Sequence, residues 1–396
     1  MYISKRVQAM QSSPVRKLVP FGIQAEKKGI KVYHLNIGQP DIKTPPEFMN
    51  AIRAYDKETI AYSVSNGEPV LLQAISDYYK KFGIDYSTDE ILVTNGGSEA
   101  LIFAAIACCD AGDEILVPEP FYTNYNGFTT AVDVAIKPIT TTAEDGFHLP
   151  SKADVLACIT DKTRAIMISN PGNPTGVVYS REELQMLADV AVEKDLVIIS
   201  DEVYREFTYD GLTCTSFGEF TEIQDRVIIV DSVSKRFSAC GARIGSICCK
   251  NKDFIKETVK LCQTRLCVAT LEQIGAAALY SVHDQYLKDV NIEYSKRRDI
   301  TYAALSKMEN VICDKPTGAF YVVAKLPIDN AEKFALWMLT DFENNKETVM
   351  FSPATDFYAT KCLGIDEIRI AYVLEEKVLT RALELLELGI IAYNNR

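Results

Sequence analysis

Short apolar runs recur between residues 86 and 250 and alternate with amphipathic or loop segments. The runs are continuous and rich in Ile and Val, which is typical of strands buried on both faces of a sheet. They lie at residues 91–94, 114–118, 165–169, 196–200, 227–231 and 244–249. Residues 181–194 are predicted as a helix, since Ser180 and Glu183 form a capping box at its start. The alternation predicts an α/β fold whose large domain has a mostly parallel sheet sandwiched by helices.

The pattern changes after residue 283, where helices and strands of lower hydrophobicity are mixed. Long or amphipathic helices are predicted at 284–309, at 331–340 and from Glu375 onward, and strands at 319–324 and 367–371. This mixture predicts a second, smaller α+β domain. The proline-rich stretch 40–46 marks the entry into the large domain. We therefore predict an N-terminal arm with part of the small domain at 1–35, the large domain at 36–283 and the small C-terminal domain at 284–396.

Composition narrows the class of protein. With 396 residues and 47% hydrophobic side chains, the chain can bury a large core. The net charge of −12 disfavours nonspecific binding to nucleic acid, and no segment approaches the roughly 18 apolar residues of a membrane helix. Eleven cysteines lie mostly in apolar settings, and three histidines lack metal-ligand spacing. We expect a soluble, cytoplasmic protein with no metal, nucleic-acid or membrane partner.

The N-terminal arm departs from this acidic balance. Within its first 33 residues, seven basic side chains stand against the single acidic Glu26. The basic residues are Lys5, Arg6, Arg16, Lys17, Lys27, Lys28 and Lys31. We expect this arm to pack on an acidic body, either its own or that of a partner.

The segment from Ser232 to Gly245 places Lys235 and Arg243 in a small-residue loop between two predicted buried strands. A lysine in that position can be desolvated, which lowers its pKa and frees its amine to attack a carbonyl group. The planar guanidinium of Arg243 suits a phosphate. Each residue alone is equally compatible with a charge that caps the end of a strand, so the other strand ends decide the interpretation.

The first predicted strand of the large domain ends in a candidate anion site. Gly96, Gly97 and Ser98 follow residues 91–94 and open the apolar helix predicted at 101–108. Free backbone N–H groups and a hydroxyl at a helix start attract an anion, and the helix dipole adds to the attraction. The alternative is an ordinary turn with a helix cap, which a Gly-Gly-Ser sequence also forms. The segment fits neither the dinucleotide-binding nor the Walker pattern.

Three further strand ends carry side chains suited to a flat ring. Tyr122 lies in a proline-stiffened loop, Asn173 in an Asn-Pro-Gly-Asn-Pro-Thr-Gly turn, and Asp201 and Tyr204 follow the next strand. Separately, these residues are compatible with a core tyrosine, a rigid turn and an aspartate that caps a helix. Because ligands of open α/β sheets bind beyond the carboxyl ends of the strands, we expect them to meet at one site.

Together, five strand ends supply an anion cradle, an aromatic plate, a fixed amide, a buried carboxylate with a tyrosine, and an amine. They describe a flat, aromatic, phosphorylated ligand whose ring nitrogen needs a carboxylate and whose carbonyl group meets Lys235. Pyridoxal 5'-phosphate has all of these parts. The sequence therefore predicts this cofactor.

Three motifs, in order, resemble those of the class I and II aminotransferases, the fold-type I pyridoxal-phosphate enzymes that include aspartate aminotransferases. They are Asn-Pro-x-Asn-Pro-Thr-Gly, Asp-Glu-x-Tyr and Ser-x-Ser-Lys-x-Phe-x-x-x-Gly-x-Arg, within a resemblance that extends over residues 35–372. The resemblance implies that Lys235 forms a Schiff base with the cofactor and that Asp201 pairs with the pyridinium nitrogen. Asn173 and Tyr204 would then bond the phenolic oxygen, and Tyr122 would stack on the ring. The implied phosphate contacts are Gly96, Gly97, Ser98, Ser232, Ser234 and Arg243.

The resemblance also implies substrate contacts. Arg369 matches an arginine late in the family's sequences that binds the substrate α-carboxylate in a bidentate manner. Gly38 matches an early glycine that lies beside the same carboxylate, and Asn173 would also lie there. Arg369 could instead form a structural ion pair. Tyr62 matches a tyrosine that reaches the partner subunit's cofactor phosphate in a homodimer. Arg265 lies near an arginine that enters the neighbouring site, although a solvent-facing or interfacial charge is at least as good an alternative.

These residues imply an aminotransferase that works by a ping-pong mechanism, with Lys235, Asp201 and Tyr204 as its catalytic residues. Aspartate or glutamate with 2-oxoglutarate is the first expected substrate pair, although Ser98 and Glu99 offer no second cation; alanine, aromatic and branched donors stay open. A C–S β-lyase or another pyridoxal-phosphate lyase is the alternative on the same fold. A cofactor-binding regulatory module is disfavoured, because about 35 residues before Gly38 are too few for a DNA-binding domain.

Overall fold

A computed structural model describes residues 1–11, 13–14 and 16–396, which form three sheets and the helices around them. The strands are β1 Lys31–His34, β2 Ile91–Thr94, β3 Glu114–Glu119, β4 Ala135–Thr140, β5 Thr163–Ser169, β6 Val197–Asp201, β7 Val227–Ser232, β8 Gly245–Cys249, β9 Tyr321–Lys325, β10 Glu347–Met350, β11 Ser352–Pro353 and β12 Glu367–Ala371.

The helices surround these sheets and connect their strands. The α-helices are α1 Lys5–Ala9, α2 Val19–Lys27, α3 Pro46–Arg53, α4 Pro69–Lys80, α5 Gly96–Cys108, α6 Asn124–Ala131, α7 Lys152–Ala157, α8 Arg181–Glu193, α9 Val233–Arg236, α10 Lys252–Arg265, α11 Thr270–Leu279, α12 Gln285–Leu305, α13 Ala331–Thr340 and α14 Glu376–Asn394. Short 3-10 turns occur at Thr88–Glu90, Ala143–Asp145, Phe217–Glu219, Thr221–Arg226, Cys240–Ala242 and Thr355–Phe357. The capping box predicted at Ser180 and Glu183 is present at the start of α8.

The large sheet has seven strands in the order β2-β8-β7-β6-β5-β3-β4, all parallel except β8. Successive side chains of a strand point to opposite faces. Ile198 and Ile199 of β6 accordingly belong to different hydrophobic cores, one on each side of the sheet. The predicted α/β class with a mostly parallel sheet between helices is confirmed.

The direction of β8 brings one more segment to the functional edge of this sheet. β8 runs antiparallel to β2 and β7, so its first residue lies where its neighbours end. Gly245 pairs with Thr94 on one side and with Ser232 on the other. A Cβ atom added at Gly245 would lie 2.5 Å from the Gly96 carbonyl carbon, so a glycine is needed there.

The smaller domain packs an antiparallel sheet, β11-β12-β9, against α12, α13 and α14. This confirms the predicted α+β domain. Its first strand begins at Tyr321 rather than at residue 319, because Ala319 has a positive φ of 52° that a strand does not allow. The domain boundaries at 35/36 and 283/284 stay predictions. No helix in the described ranges is long and apolar enough to cross a membrane.

The basic arm packs on acidic groups of its own chain. Arg6 forms an ion pair with Asp133 of the large domain. Lys17 forms ion pairs with Asp356, at 2.8 Å, and with Glu332 of the small domain. In addition, β1 pairs in parallel with β10 of the small domain. The arm therefore runs from one domain to the other.

Candidate active site

A cavity of about 430 Å³ opens at the carboxyl edge of the large sheet, between that edge, the arm and the small-domain sheet. Its wall includes residues from all five predicted strand ends. Twelve of the predicted site residues line it: Gly38, Gly97, Ser98, Tyr122, Asn173, Asp201, Tyr204, Ser232, Ser234, Lys235, Arg243 and Arg369.

Lys235 enters the cavity from α9, the short helix that directly follows β7. Ser232 caps this helix by accepting a hydrogen bond from the Ser234 N–H at 3.1 Å. The next residue, Arg236, is anchored beneath the site by a 2.6 Å ion pair with the buried Asp231. Lys235 Nζ donates a hydrogen bond to the Gly38 carbonyl oxygen at 2.9 Å. The amine is therefore held at the cavity wall by the loop that carries Gly38.

Asp201 ends β6 and is only 4% exposed. Its Oδ2 accepts a hydrogen bond from the Tyr125 hydroxyl at 2.8 Å, and its Oδ1 accepts one from the Val203 N–H at 3.4 Å. Burial raises the pKa of Asp201 to about 6, although these two hydrogen bonds act in the opposite direction. Both partners are neutral, so this carboxylate can bind a cationic group that enters the cavity.

The start of α5 forms an anion cradle. Gly96 has a positive φ of 73°, and a Cβ atom added there would overlap the guanidinium of Arg243. The N-cap residue Asn95 makes no side-chain hydrogen bond to the helix, so the first N–H groups remain open. Ser232 and Ser234 add hydroxyl groups beside them. Backbone N–H groups, hydroxyls and a guanidinium at one helix start suit a phosphate.

Aromatic and amide side chains also line the cavity, namely Tyr122, Asn173, Tyr204 and Tyr321. The hydroxyls of Tyr204 and Tyr321 share a 2.8 Å hydrogen bond in the interior. Burial raises the pKa of Tyr122 to about 12, so its phenol stays neutral. The Asn173 Oδ1 accepts a 3.4 Å hydrogen bond from Arg369. These groups can contact the face and the edge of a planar ring.

Arg369 lies on β12 and is 3% exposed. It donates hydrogen bonds to Asn173 and to the Asn36 carbonyl oxygen, and its Nε has no hydrogen-bond partner in the described part of the chain. Burial lowers its pKa. None of the described carboxylates forms an ion pair with it. A buried cation without an anion is costly, so a carboxylate entering the cavity would stabilise it.

Three predicted site residues do not line this cavity. Gly96 lies behind its wall, in contact with Arg243. Tyr62 is 82% exposed, away from the cavity of its own chain. Arg265 forms a 3.3 Å ion pair with Glu99 and donates a hydrogen bond to the Val93 carbonyl oxygen at 3.1 Å. The roles of Tyr62 and Arg265 in a neighbouring subunit stay predictions.

Sequence reasoning missed several residues of the site. Tyr125 follows Tyr122 in the same aromatic-rich segment, which was the available signal. Tyr321 starts an apolar strand, and nothing in the local sequence marks it as a site residue. In the structure it lies against Gly38, where an added Cβ atom would overlap the Tyr321 hydroxyl. Ser13 and Arg16 of the arm also line the cavity. The basic composition of the arm was visible, but its position over the cavity was not.

Known proteins resemble the chain over almost its whole length. The sequence model of the family described as aminotransferase class I and II matches residues 30–386. A probable aspartate aminotransferase of Methanocaldococcus jannaschii is 33% identical over 384 residues, which are 92% of this chain and 98% of that protein. An alanine aminotransferase structure from Pyrococcus furiosus has a TM-score of 0.91 at 32% identity and covers 99% of this chain and 100% of its own. A mutant Thermus thermophilus aspartate aminotransferase has a TM-score of 0.90 at 28% identity, with 98% and 100% covered.

The chain belongs to the class I and II aminotransferase family. It is a pyridoxal 5'-phosphate-dependent aminotransferase of fold type I, as the motifs predicted. The residues present fit the cofactor, because the open α5 start suits its phosphate and the buried Asp201 forms no ion pair with a described residue. Within the described ranges, no group of three or more His, Cys, Asp or Glu side chains is arranged to hold a metal ion.

Proposed function

We propose that the chain transfers the amino group of an acidic L-amino acid, aspartate or glutamate, to a 2-oxo acid such as 2-oxoglutarate. The observation that carries the proposal is the buried Arg369 guanidinium, which faces the cavity without an anion. It suits the carboxylate that all amino-acid and oxo-acid substrates share. The relatives named as aspartate aminotransferases support the acidic donor, and the similar alanine aminotransferase supports alanine as the competing one.

The cofactor contacts follow from the cavity wall. When bound, pyridoxal 5'-phosphate draws the electrons of the substrate Cα–H bond into its ring. The α5 start, Ser232, Ser234 and Arg243 would hold its phosphate, and Tyr122 would pack on the ring face. Asn173 and Tyr204 would donate hydrogen bonds to the phenolic oxygen. Asp201 would accept a hydrogen bond from the ring nitrogen and would keep a proton there, because the buried carboxylate is stabilised by the positive charge of that proton.

Lys235 carries the covalent link and the proton transfer. Its Nζ would hold the aldehyde group of the cofactor. Once the substrate amino group frees it, the same amine would move the proton between the substrate Cα and the exocyclic carbon of the cofactor. Its present acceptor, the Gly38 carbonyl oxygen at 2.9 Å, lies on the loop beside the substrate carboxylate. We expect ping-pong kinetics, because the amino group would stay on the enzyme between release of the first oxo acid and binding of the second.

We also propose a cytoplasmic homodimer. Ile60, Tyr62 and Val64 are strongly exposed and follow one another in a segment without helix or strand, which supports a protein interface at this surface. Tyr62 would reach the partner's cofactor phosphate there. The eleven cysteines are free thiols, which supports a reducing compartment.

A panel of amino donors tests the proposed substrate class. Purified enzyme is mixed with each donor in the absence of an oxo acid, and the loss of the visible absorption of the lysine-bound cofactor is followed. We expect aspartate and glutamate to react faster than alanine, phenylalanine or leucine. Arg369→Lys should slow every donor, because a lysine cannot bind a carboxylate in a bidentate manner. Failure of aspartate and glutamate to react would contradict the acidic-donor proposal.

The lyase alternative is separated by its products. A β-lyase releases pyruvate and ammonia from cystathionine, whereas an aminotransferase passes the amino group to an added oxo acid. We expect no ammonia above the rate of the Lys235→Ala variant. No similarity or contact of the described residues favours the lyase.

A further inference from the structure

The N-terminal arm brings a fourth cation to the cavity wall. The charged residues that line the cavity are Arg16, Lys235, Arg243, Arg369 and the single carboxylate Asp201. Under the proposed function, Lys235 binds the cofactor aldehyde, Arg243 the phosphate and Arg369 the substrate α-carboxylate. Arg16 has no such partner. An additional cation in a substrate cavity indicates an additional anion on the substrate.

Contacts on both sides hold the arm in place near Arg16. Lys17 binds two small-domain carboxylates, Asp356 and Glu332, and Leu18 is buried in the hydrophobic core of that domain. Upstream, Gln11 donates a hydrogen bond to Asp356 at 2.6 Å. The backbone N–H of Arg16 itself donates to the Ser13 carbonyl oxygen at 3.0 Å. Arg16 therefore lies next to two anchored residues of the arm, Lys17 and Leu18.

The adjacent cations Arg16 and Lys17 have different surroundings. The Lys17 side chain is only 32% exposed and is bound by two carboxylates. Arg16 is exposed at the cavity, and its guanidinium makes no hydrogen bond or ion pair with a described residue. Lys17 thus anchors the arm, and Arg16 is left available to a ligand.

Lys17, the neighbour of Arg16, contacts the part of the small domain that carries Arg369. Asp356, the partner of Lys17, follows β11, and Ser352 of β11 pairs directly with Arg369 of β12. The phosphate cradle lies instead at the ends of β2, β7 and β8. Arg16 and Arg369 line the same cavity, as the two carboxylates of a dicarboxylic amino acid require.

Other cations do not compete for this role within the chain. The helix start beyond the cradle offers Ser98 and Glu99, and Arg265 is bound to Glu99. We propose that Arg16 binds the side-chain carboxylate of the substrate and sets the preference for acidic over neutral donors. This assignment rests on the proposed function and goes beyond it by naming the residue that selects the donor.

The test compares donor selectivity in the wild-type holoenzyme, in Arg16→Gln and in Lys28→Gln. Lys28 is an exposed cation of the same arm that does not line the cavity, so its variant controls for the lost charge. In Arg16→Gln, we expect the ratio of kcat/KM for aspartate to that for alanine to fall about 10- to 100-fold, as for a lost charge-assisted hydrogen bond. Lys28→Gln should keep the ratio within about twofold. A second readout is inhibition by succinate, which should weaken in Arg16→Gln by a similar factor, whereas inhibition by the monocarboxylate butyrate should not.

The outcomes separate this assignment from the proposed function. If wild-type enzyme reacts with aspartate but Arg16→Gln leaves the ratio and succinate inhibition unchanged, the Arg16 assignment is overturned and the acidic-donor proposal stands. An equal loss with aspartate and alanine overturns it as well, since that result indicates a general role of the arm. If the wild type reacts with alanine and not with aspartate or glutamate, the acidic-donor proposal fails, and the assignment fails with it.

Discussion

The Tyr125 hydroxyl donates a hydrogen bond to Asp201 Oδ2 at 2.8 Å, and both side chains are buried. Tyr125 lies in the first turn of α6, and Asp201 is the last residue of β6. The bond fixes the carboxylate without neutralising it, because phenol is uncharged. The remaining charge is available to the nitrogen of the cofactor ring.

Removing this hydrogen bond should slow catalysis and leave cofactor binding intact. Tyr125→Phe takes away a group that lowers the pKa of Asp201, so the carboxylate is less fully ionised when it meets the ring nitrogen. We expect kcat with aspartate to fall about tenfold, near the lower limit for a hydrogen bond to a charged group. The matched control is Tyr393→Phe, which removes a similar 2.7 Å bond to Asp329 far from the site. Equal rates in the two variants would show that Tyr125 does not support Asp201.

The cofactor-free protein should lose stability from Asp201 as the pH rises. Its pKa is raised from the ordinary 3.8 to about 6, so between these values the folded state holds a proton that the unfolded state has released. Stability from this group is therefore highest below about pH 4 and is lost as the pH rises towards 6 and above. Asp201→Asn lacks this titration. The free energy of urea unfolding of the wild type minus that of Asp201→Asn should fall by about 2–3 kcal/mol from pH 4 to pH 7. A rise over that range would mean that the pKa is lowered instead.

Breaking the buried ion pair beneath Lys235 should be strongly destabilising. Arg236 and Asp231 are each 1% exposed and lie 2.6 Å apart. Arg236→Met leaves Asp231 as an uncompensated buried charge, which we expect to lower the free energy of unfolding by about 3–5 kcal/mol. Lys260→Met removes an exposed partner of Glu257 and should cost less than about 1 kcal/mol. Chemical denaturation of both variants measures the difference, and a cost for Arg236→Met as small as that of the control contradicts the prediction.

The predicted strands of the large sheet match the structure within two residues, because runs of Ile and Val directly report burial on both faces. β4 was missed because Lys137 and Pro138 interrupt its pattern, which an edge strand tolerates. The direction of β8 was also not predictable, since an apolar run carries no information on orientation. Yet that direction places Arg243 at the edge where the other strands end.

The site was predictable where it depends on strand ends and less so where distant segments meet. Lys235, Asp201 and Asn173 lie in local motifs, and all three line one cavity. The position of the arm depends on contacts such as that between Lys17 and Asp356, which are 339 residues apart in the sequence. No local pattern encodes such a contact. That Arg369 has no ion-pair partner among the described residues was visible only in the structure.

Isotope labelling follows the amino nitrogen from the donor to the product. Enzyme is incubated with ¹⁵N-labelled aspartate and unlabelled 2-oxoglutarate, and the products are analysed by mass spectrometry, with Lys235→Ala as the control. We expect the label to appear in glutamate, with one oxaloacetate formed for each glutamate, and we expect Lys235→Ala to form neither product. Label released as ammonia, or transfer of the label at the wild-type rate in Lys235→Ala, would show that the chain is not an aminotransferase that works through Lys235.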